Sequence, residues 1–358
     1  VSDLISRIHE TDGRFEIAVT GGGASVISQL LSVPGASNSL LNAVVPYSFE
    51  ALSHYIGTEP EGACSEHTAR RMASRAYLSA TGKHKGKVLG IGATAALQTN
   101  RLRRGADRIH VAVQARRSLK TYRLDLNSEL SRIEQEAICA NFILTCLSVD
   151  LGVGVGTPPQ PSRELTVSED WAALFARETH LAAEEPITAL LPGAFNPPHA
   201  GHFEMRRLAE KHLQQTVHFE LSVDNVDKPP LDYFDMRDRQ ILLDHAPVAF
   251  TRAATFVEKS ELCPGATFVI GIDTLTRIDD IKYYHHSVAD KEEALQTLAS
   301  RGHRFLVFGR LVDDRFQGAL DVELSSTLKA MCQEIPESEF RLDISSTELR
   351  EKLIRTDE

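Results

Sequence analysis

Long hydrophobic runs are missing from this chain of 358 residues: no stretch approaches the roughly 18 apolar residues that cross a membrane, which excludes a spanning helix. Cysteine is scarce, with five residues at positions 64, 139, 146, 263 and 332. That odd count, with no two-residue spacing, excludes a disulfide framework and a zinc-finger pattern and predicts mostly buried, reduced thiols. Tryptophan occurs once, at Trp171. The N-terminal stretch lacks a basic segment followed by an apolar one, so no secretory signal is expected within it. Because numbering begins at Val1, the expected compartment stays open between the cytoplasm and the mitochondrial matrix.

An excess of positive charge is also absent. The net charge is −10, and it is unevenly spread. Residues 1–165 carry 18 basic and 15 acidic side chains, whereas the remainder carries 21 and 34. So acidic a second half argues against nucleic acid as a partner. The cluster Arg101-Leu-Arg-Arg104 with Arg108 reads as a solvated loop.

What the chain does have is α/β alternation in two rounds. In the first half, Phe15–Thr20, Ala43–Val45, Val88–Ile91 and Ile109–Gln114 read as strands, the last with one wetter face. Helices are predicted after the glycines at 21–23, over 66–80 and over 129–147. Gly152-Val-Gly-Val-Gly156 precedes a proline-rich stretch where no helix can start, which predicts a linker there and not a dinucleotide-binding turn. The second half restarts with strands at Thr188–Leu191, Val217–Val223, Thr267–Ile270 and Arg304–Phe308, and helices over 201–213 and 236–243. The expected fold class is α/β in two domains, each a mostly parallel sheet flanked by helices. Their expected bounds are 1–150 and 187–358, with a linker and connecting helix between them.

Chemistry is concentrated in loops that follow predicted strands of the second half, where a parallel sheet offers its ligand site. Leu191-Pro-Gly-Ala-Phe-Asn-Pro-Pro-His-Ala-Gly-His202 places His199 and His202 at a helix start. Free amides and the positive dipole end attract phosphate there, and two imidazoles can donate hydrogen bonds as charge develops. A histidine that merely caps the helix is the bland alternative, and a zinc site lacks a third ligand. Ile344-Ser-Ser-Thr-Glu-Leu-Arg350 is a capping box in form, yet Arg350 one turn on can reach an anion at the exposed amides. Lys228, in the loop 224–230, can neutralise a phosphate. Asp273, in Gly271-Ile-Asp273, can accept from a ribose hydroxyl or substrate amide, and Arg277 can approach a phosphate. Nucleotidyl transfer accommodates all of these segments.

The two motifs, Gly-x-Phe-Asn-Pro-x-His-x-Gly-His and Ile-Ser-Ser-Thr-x-x-Arg, resemble those of the nucleotidylyltransferase superfamily over about 170 residues. The Asn-Pro-Pro form, Gly271-Ile-Asp273 and Asp227-Lys-Pro-Pro230 are most similar to nicotinamide or nicotinate mononucleotide adenylyltransferases. Gly271–Arg277 through Tyr283-Tyr284 is similar to their fungal and plant branch. The resemblance implies a Rossmann-like fold and attack of the mononucleotide phosphate on the ATP α-phosphorus, with Mg²⁺ accompanying ATP. It also implies that His199, His202, Lys228 and Arg350 act on the phosphates. Gly193, Phe195, Asn196, Gly271, Asp273, Arg277, Ser345, Ser346 and Thr347 would shape the nucleotide site. A tryptophan commonly follows the Gly-x-Asp element, but here Tyr283 or Tyr284 would have to take its place. Transfer to another phosphorylated acceptor, such as phosphopantetheine or a cytidylyl acceptor, therefore remains an alternative. A non-catalytic nucleotide-binding subunit of a larger assembly is another.

Residues 10–148 resemble the nicotinamide-nucleotide amidase family (the CinA C-terminal domain), through Ser32-Val-Pro-Gly-Ala-Ser37, Pro46-Tyr-Ser48 and Gly62-Ala-Cys-Ser-Glu66. By spacing, the nucleophilic serine of that family falls on Thr20, its lysine on Leu52 and its Gly-Ile-Ala-Gly-Pro loop on 92–97. Tyr47 persists. The resemblance implies a first domain that keeps the fold without amidase activity, serving as an oligomerisation or ligand-binding platform.

Overall fold

The computed structural model describes residues 1–100, 105–154, 157–224, 230–244, 246–311 and 315–341, with the backbone of Val312. Two compact units emerge. One holds residues 1–176 together with a segment that ends at Phe234, and the other holds Arg177 onward outside that segment.

The first unit runs α1 (Ser2–His9), β1 (Arg14–Thr20), α2 (Ser25–Ser32), β2 (Leu40–Val44), α3 (Phe49–Ile56), α4 (Glu66–Lys83), β3 (Val88–Ala96), β4 (Arg108–Gln114), β5 (Ser118–Asp125), α5 (Arg132–Leu151), β6 (Arg163–Thr166) and α6 (Glu169–Phe175). Its sheet has the order β2-β1-β3-β4-β5-β6. The strands β2, β1 and β3 run parallel, while β4, β5 and β6 return as an antiparallel meander. Burial of β1 is near-continuous, as expected of a strand covered on both faces. Helix α4 packs close on β3 because Gly90 and Gly92 carry no side chain. A Cβ on Gly90 would lie 2.1 Å from the Ala73 carbonyl oxygen, and one on Gly92 would lie 2.2 Å from that of Ala69. On the other face α5 starts with a capping box between Ser131 and Glu134 and buries Cys139, Ile143 and Leu147 in the core.

Two expectations change here. Strand β4 has no wet face: His110 and Gln114 are buried, because helices cover both sides of the sheet, and burial depresses the His110 pKa. The stretch expected as a linker places Val153 in the core and supplies β6, whose Leu165 pairs with Leu119 of β5.

The second unit contains β7 (Leu181–Ala182), β8 (Ala189–Pro192), α7 (Ala200–Leu213), β9 (Val217–Ser222), α8 (Tyr233–Leu242, whose first two residues count with the first unit), β10 (Val248–Thr251), α9 (Phe256–Leu262), β11 (Thr267–Gly271), α10 (Ile272–Asp279), α11 (Val288–Ser300), β12 (Arg304–Phe308), the hairpin β13 (Arg310–Val312) and β14 (Arg315–Gln317), α12 (Ser326–Met331) and β15 (Cys332–Ile335). The main sheet is ordered β15-β12-β11-β8-β9-β10-β7, parallel except for the edge strand β7. Counted from β8, the parallel strands lie 3-2-1-4-5-6, the doubly wound order whose direction reverses between β8 and β11.

Register makes that reversal a crevice. Strands β8 and β11 pair only at Ala189–Thr267 and Leu190–Phe268. Beyond, β8 stays with β9 as far as Pro192–Glu220, and β11 stays with β12 as far as Gly271–Phe308. The carboxyl ends of β8 and β11 thus part from each other, and loops 193–199 and Gly271–Asp273 leave from the two lips.

Candidate functional site

Phe195 organises the first lip. Its backbone sits at φ 44°, a conformation bulky side chains rarely adopt, and its buried ring is clasped edge-on by Phe219 and His202 at centroid distances of 4.9 and 5.0 Å. Gly193 makes room for it, since a Cβ there would lie 2.6 Å from the Phe195 ring. Asn196 is exposed at the loop tip.

His199 is the N-cap of α7, and His202 stands one turn in. The Nδ1 of His202 accepts from the His199 backbone N–H at 3.2 Å. An accepting Nδ1 carries no proton, so the neutral ring bears its proton on Nε2. Burial, and secondarily the neighbouring His199, push the His202 pKa down to about 4, and burial also lowers that of His199. The two rings stack at 3.7 Å between centroids. Gly201 permits this, for a Cβ on it would sit 3.0 Å from the His199 ring. His199 Nδ1 is buried without a hydrogen-bond partner among the described residues. Burial disfavours the charged form of both rings, and His202 can donate its Nε2–H toward an anion at the helix start.

On the second lip, Gly271 caps α10 and has open space where a side chain would be. Asp273 lies in the first turn, half exposed, and pairs with Arg310 at 3.1 Å. Arg277 follows on the same helix, exposed. Tyr284 spends its hydroxyl on the Ile278 carbonyl, whereas Tyr283 is exposed with the Lys282 ammonium over its ring. Arg310 was not expected from the sequence. Its position just past β12, at the same sheet edge as the other loops, is the signal that would have found it.

The structure therefore brings Gly193, Phe195, His199 and His202 together on one side of the crevice, with Gly271, Asp273 and Arg277 leaving from the other. Lys228, Ser345, Ser346, Thr347 and Arg350 lie outside the described residues.

In the first unit, Thr20 and Tyr47 line one cavity of about 340 Å³ with Gly21, Val45, Arg132 and Glu136. The Thr20 hydroxyl donates to the Pro46 carbonyl at 2.9 Å. Both oxygens of Glu136 accept backbone amides at the start of α2, from Gly23 at 2.5 Å and Ser25 at 2.9 Å. Leu52 is packed in a core cluster with Ala18, Ile56 and Met72.

Comparison with known proteins bears on the second half. Residues 190–352 match the family described as cytidylyltransferase-like. A Schizosaccharomyces pombe protein described as "Putative nicotinamide mononucleotide adenylyltransferase" is 29% identical over 205 residues, 49% of this chain and 79% of the relative. Among solved structures, the competence/damage-inducible protein CihA of Agrobacterium tumefaciens aligns with 42% of this chain and 94% of its own length, at 18% identity and a TM-score of 0.34. A competence or damage-inducible protein of Enterobacter asburiae aligns with 42% of this chain and 97% of its own length, at 17% identity and a TM-score of 0.36. The C-terminal part of the chain is similar to nucleotidylyltransferases.

Proposed function

We propose that the second unit transfers the adenylyl group of ATP to a pyridine mononucleotide, nicotinamide or nicotinate mononucleotide, forming the dinucleotide. A phosphate oxygen of the mononucleotide attacks the α-phosphorus of ATP. The new P–O bond forms as the bond to the β-phosphate oxygen breaks, and pyrophosphate leaves with the electron pair. No covalent enzyme intermediate is needed, so the protein contributes positioning and charge stabilisation.

The single observation that carries this reading is the stacked His199–His202 pair at the start of α7, beside the strand-order reversal. In this reading the two Nε2–H groups donate to phosphate oxygens, and the amides of α7 add the helix-end field. Asn196, Gly193 and Phe195 shape the turn around the phosphates. Gly271 admits the nucleotide closely, and Asp273, oriented by Arg310, accepts from a substrate hydroxyl or amide. Lys228, Ser345, Ser346, Thr347 and Arg350 are proposed to complete the triphosphate cradle. Mg²⁺ is proposed to arrive as part of the MgATP substrate, held by phosphate oxygens and water. Among the described residues there is no group of three or more His, Cys, Asp or Glu side chains that could hold a metal ion.

Support for the acceptor comes from the description of the yeast relative, which is a statement about that protein. We infer that the first unit performs no amidase chemistry: the Thr20 hydroxyl is committed to a carbonyl, and Leu52 occupies core where a lysine would be required. The test is incubation with MgATP and either mononucleotide, with chromatography for dinucleotide and pyrophosphate. Product from neither, with folded protein, rejects the acceptor class. Pyrophosphate release from ATP with phosphopantetheine, or from CTP with a cytidylyl acceptor, would instead establish the alternative.

A further inference from the structure

Within the second unit a lysine and a glutamate are buried together beside the first lip, and the reaction uses neither as a reacting group. Glu220 of β9 and Lys259 of α9 keep side-chain exposures of 2% and 6%, and their charged groups meet at 3.0 Å. The same glutamate oxygen accepts the hydroxyl of Thr251 in the neighbouring strand β10, whose side chain is also buried. Lys259 gives a second hydrogen bond to the carbonyl of Ala253, just past the carboxyl end of β10. The amide of Ala253 in turn donates to the Thr251 hydroxyl at 3.4 Å. One ammonium group thus ties α9 to β9 and to the exit of β10.

Glu220 also stands next to the turn that leads to the histidines. It is the register partner of Pro192, the last residue of β8, and its backbone carbonyl accepts from the Gly193 N–H at 3.0 Å. Its neighbour Phe219 meets the rings of Phe195 and Phe203 at 4.9 and 5.7 Å. Successive side chains of a strand point to opposite faces. Strand β9 therefore grips the turn through the Phe219 ring and the Glu220 carbonyl, while the Glu220 carboxylate is itself held from the other face. A buried ion pair is a poor device for stability alone, since apolar replacements of like volume often serve as well. What a satisfied polar network does supply is one fixed arrangement of the elements it joins.

We propose that Glu220 and Lys259 are positioning residues for nucleotidyl transfer: they set β9 against the Gly193–Phe195 turn, and so the place at which His199 and His202 meet the phosphates. This inference rests on the transferase reading above and goes beyond it in assigning a role to a buried charge pair. Neither residue touches substrate.

Glu220→Gln or Lys259→Met alone strands one charge in the core and should lower the melting temperature sharply. The double variant Glu220→Gln/Lys259→Met removes both charges at similar volume, so it should melt close to wild type. With intact full-length protein well below the melt, kcat for dinucleotide formation should nevertheless fall about tenfold in the double variant, in keeping with the cost of small misplacements of reacting groups. KM for MgATP should move less than about threefold, since the loss is in the transition state. A pair that served stability alone would leave kcat unchanged once the fold is retained. Hydrogen exchange at the Gly193 amide, which the Glu220 carbonyl accepts, should accelerate in the same protein. Should the double variant fail to fold, Thr251→Val, which removes only the hydroxyl on Glu220, carries both measurements, with kcat expected to fall about fivefold. A folded variant with kcat within about twofold of wild type, or with unchanged exchange at Gly193, overturns the proposal. Were wild-type protein to turn over no mononucleotide, the reading of the reaction would fall, and exchange at Gly193 would still decide whether the pair holds the turn.

Discussion

Replacing His202 with alanine separates what the imidazole does for the helix from what it does for the reaction. In the folded chain its Nδ1 accepts from the His199 backbone and its edge packs on Phe195. Losing the first costs about 1 kcal/mol, the usual worth of a helix cap. Losing the second costs about 1 kcal/mol more, as for other ring pairs. The protein should therefore melt lower by a loss of about 2 kcal/mol and remain folded. The Nε2–H takes no part in that loss. If it donates to phosphate charge that grows in the transition state, its removal should lower kcat by about 10²–10³, the effect of deleting one preorganised donor. His202→Asn returns an acceptor near the His199 amide, so stability should recover more than turnover does. Steady-state pyrophosphate release beside a thermal melt is the assay. A folded His202→Ala protein with kcat within about threefold of wild type would refute the donor argument.

Other perturbations follow from the same geometry. The folded-state pKa of His202 near 4 lies below the usual 6.5, so the native protein binds fewer protons than the unfolded chain between those values. Stability should be complete above pH 6.5 and decline by about 3 kcal/mol as pH falls toward 4; His202→Ala should flatten that slope, as read from urea melts. Gly92→Ala forces a Cβ onto the backbone of α4 and should cost the first unit about 3 kcal/mol, followed by Trp171 emission. Arg310→Met removes a half-exposed pair, so stability should change by less than about 1 kcal/mol. If Arg310 orients Asp273, KM for the mononucleotide should nevertheless rise about tenfold with kcat little changed.

Much of this architecture was legible because strands and helices announce themselves by local periodicity. Thr188–Leu191, Val217–Val223, Thr267–Ile270 and Arg304–Phe308 each read as strands from a few adjacent apolar residues, and each is one. Their lateral order is not local, so the crevice between β8 and β11 became visible only with the register. The histidine pair was legible from its three-residue spacing at a helix start. The proton arrangement that makes His202 a neutral donor depends on one backbone contact and on burial, which no spacing encodes. Arg310 escaped because 37 positions separate it from Asp273. Strand β6 escaped because glycine and proline before it dominate the reading, although its own residues pair with β5. Likewise, nothing in Leu231-Asp-Tyr-Phe234 signals attachment to the first unit, because its partner Arg70 lies 162 positions earlier.

The donor role of the imidazoles is open to direct observation in ¹⁵N spectra of the histidine side chains, recorded with and without MgATP. Binding should displace the Nε2 resonances of His199 and His202 while Nδ1 of His202 keeps the shift of an unprotonated acceptor. MgATP that binds without moving either ring, or that finds both rings doubly protonated at neutral pH, would contradict the account.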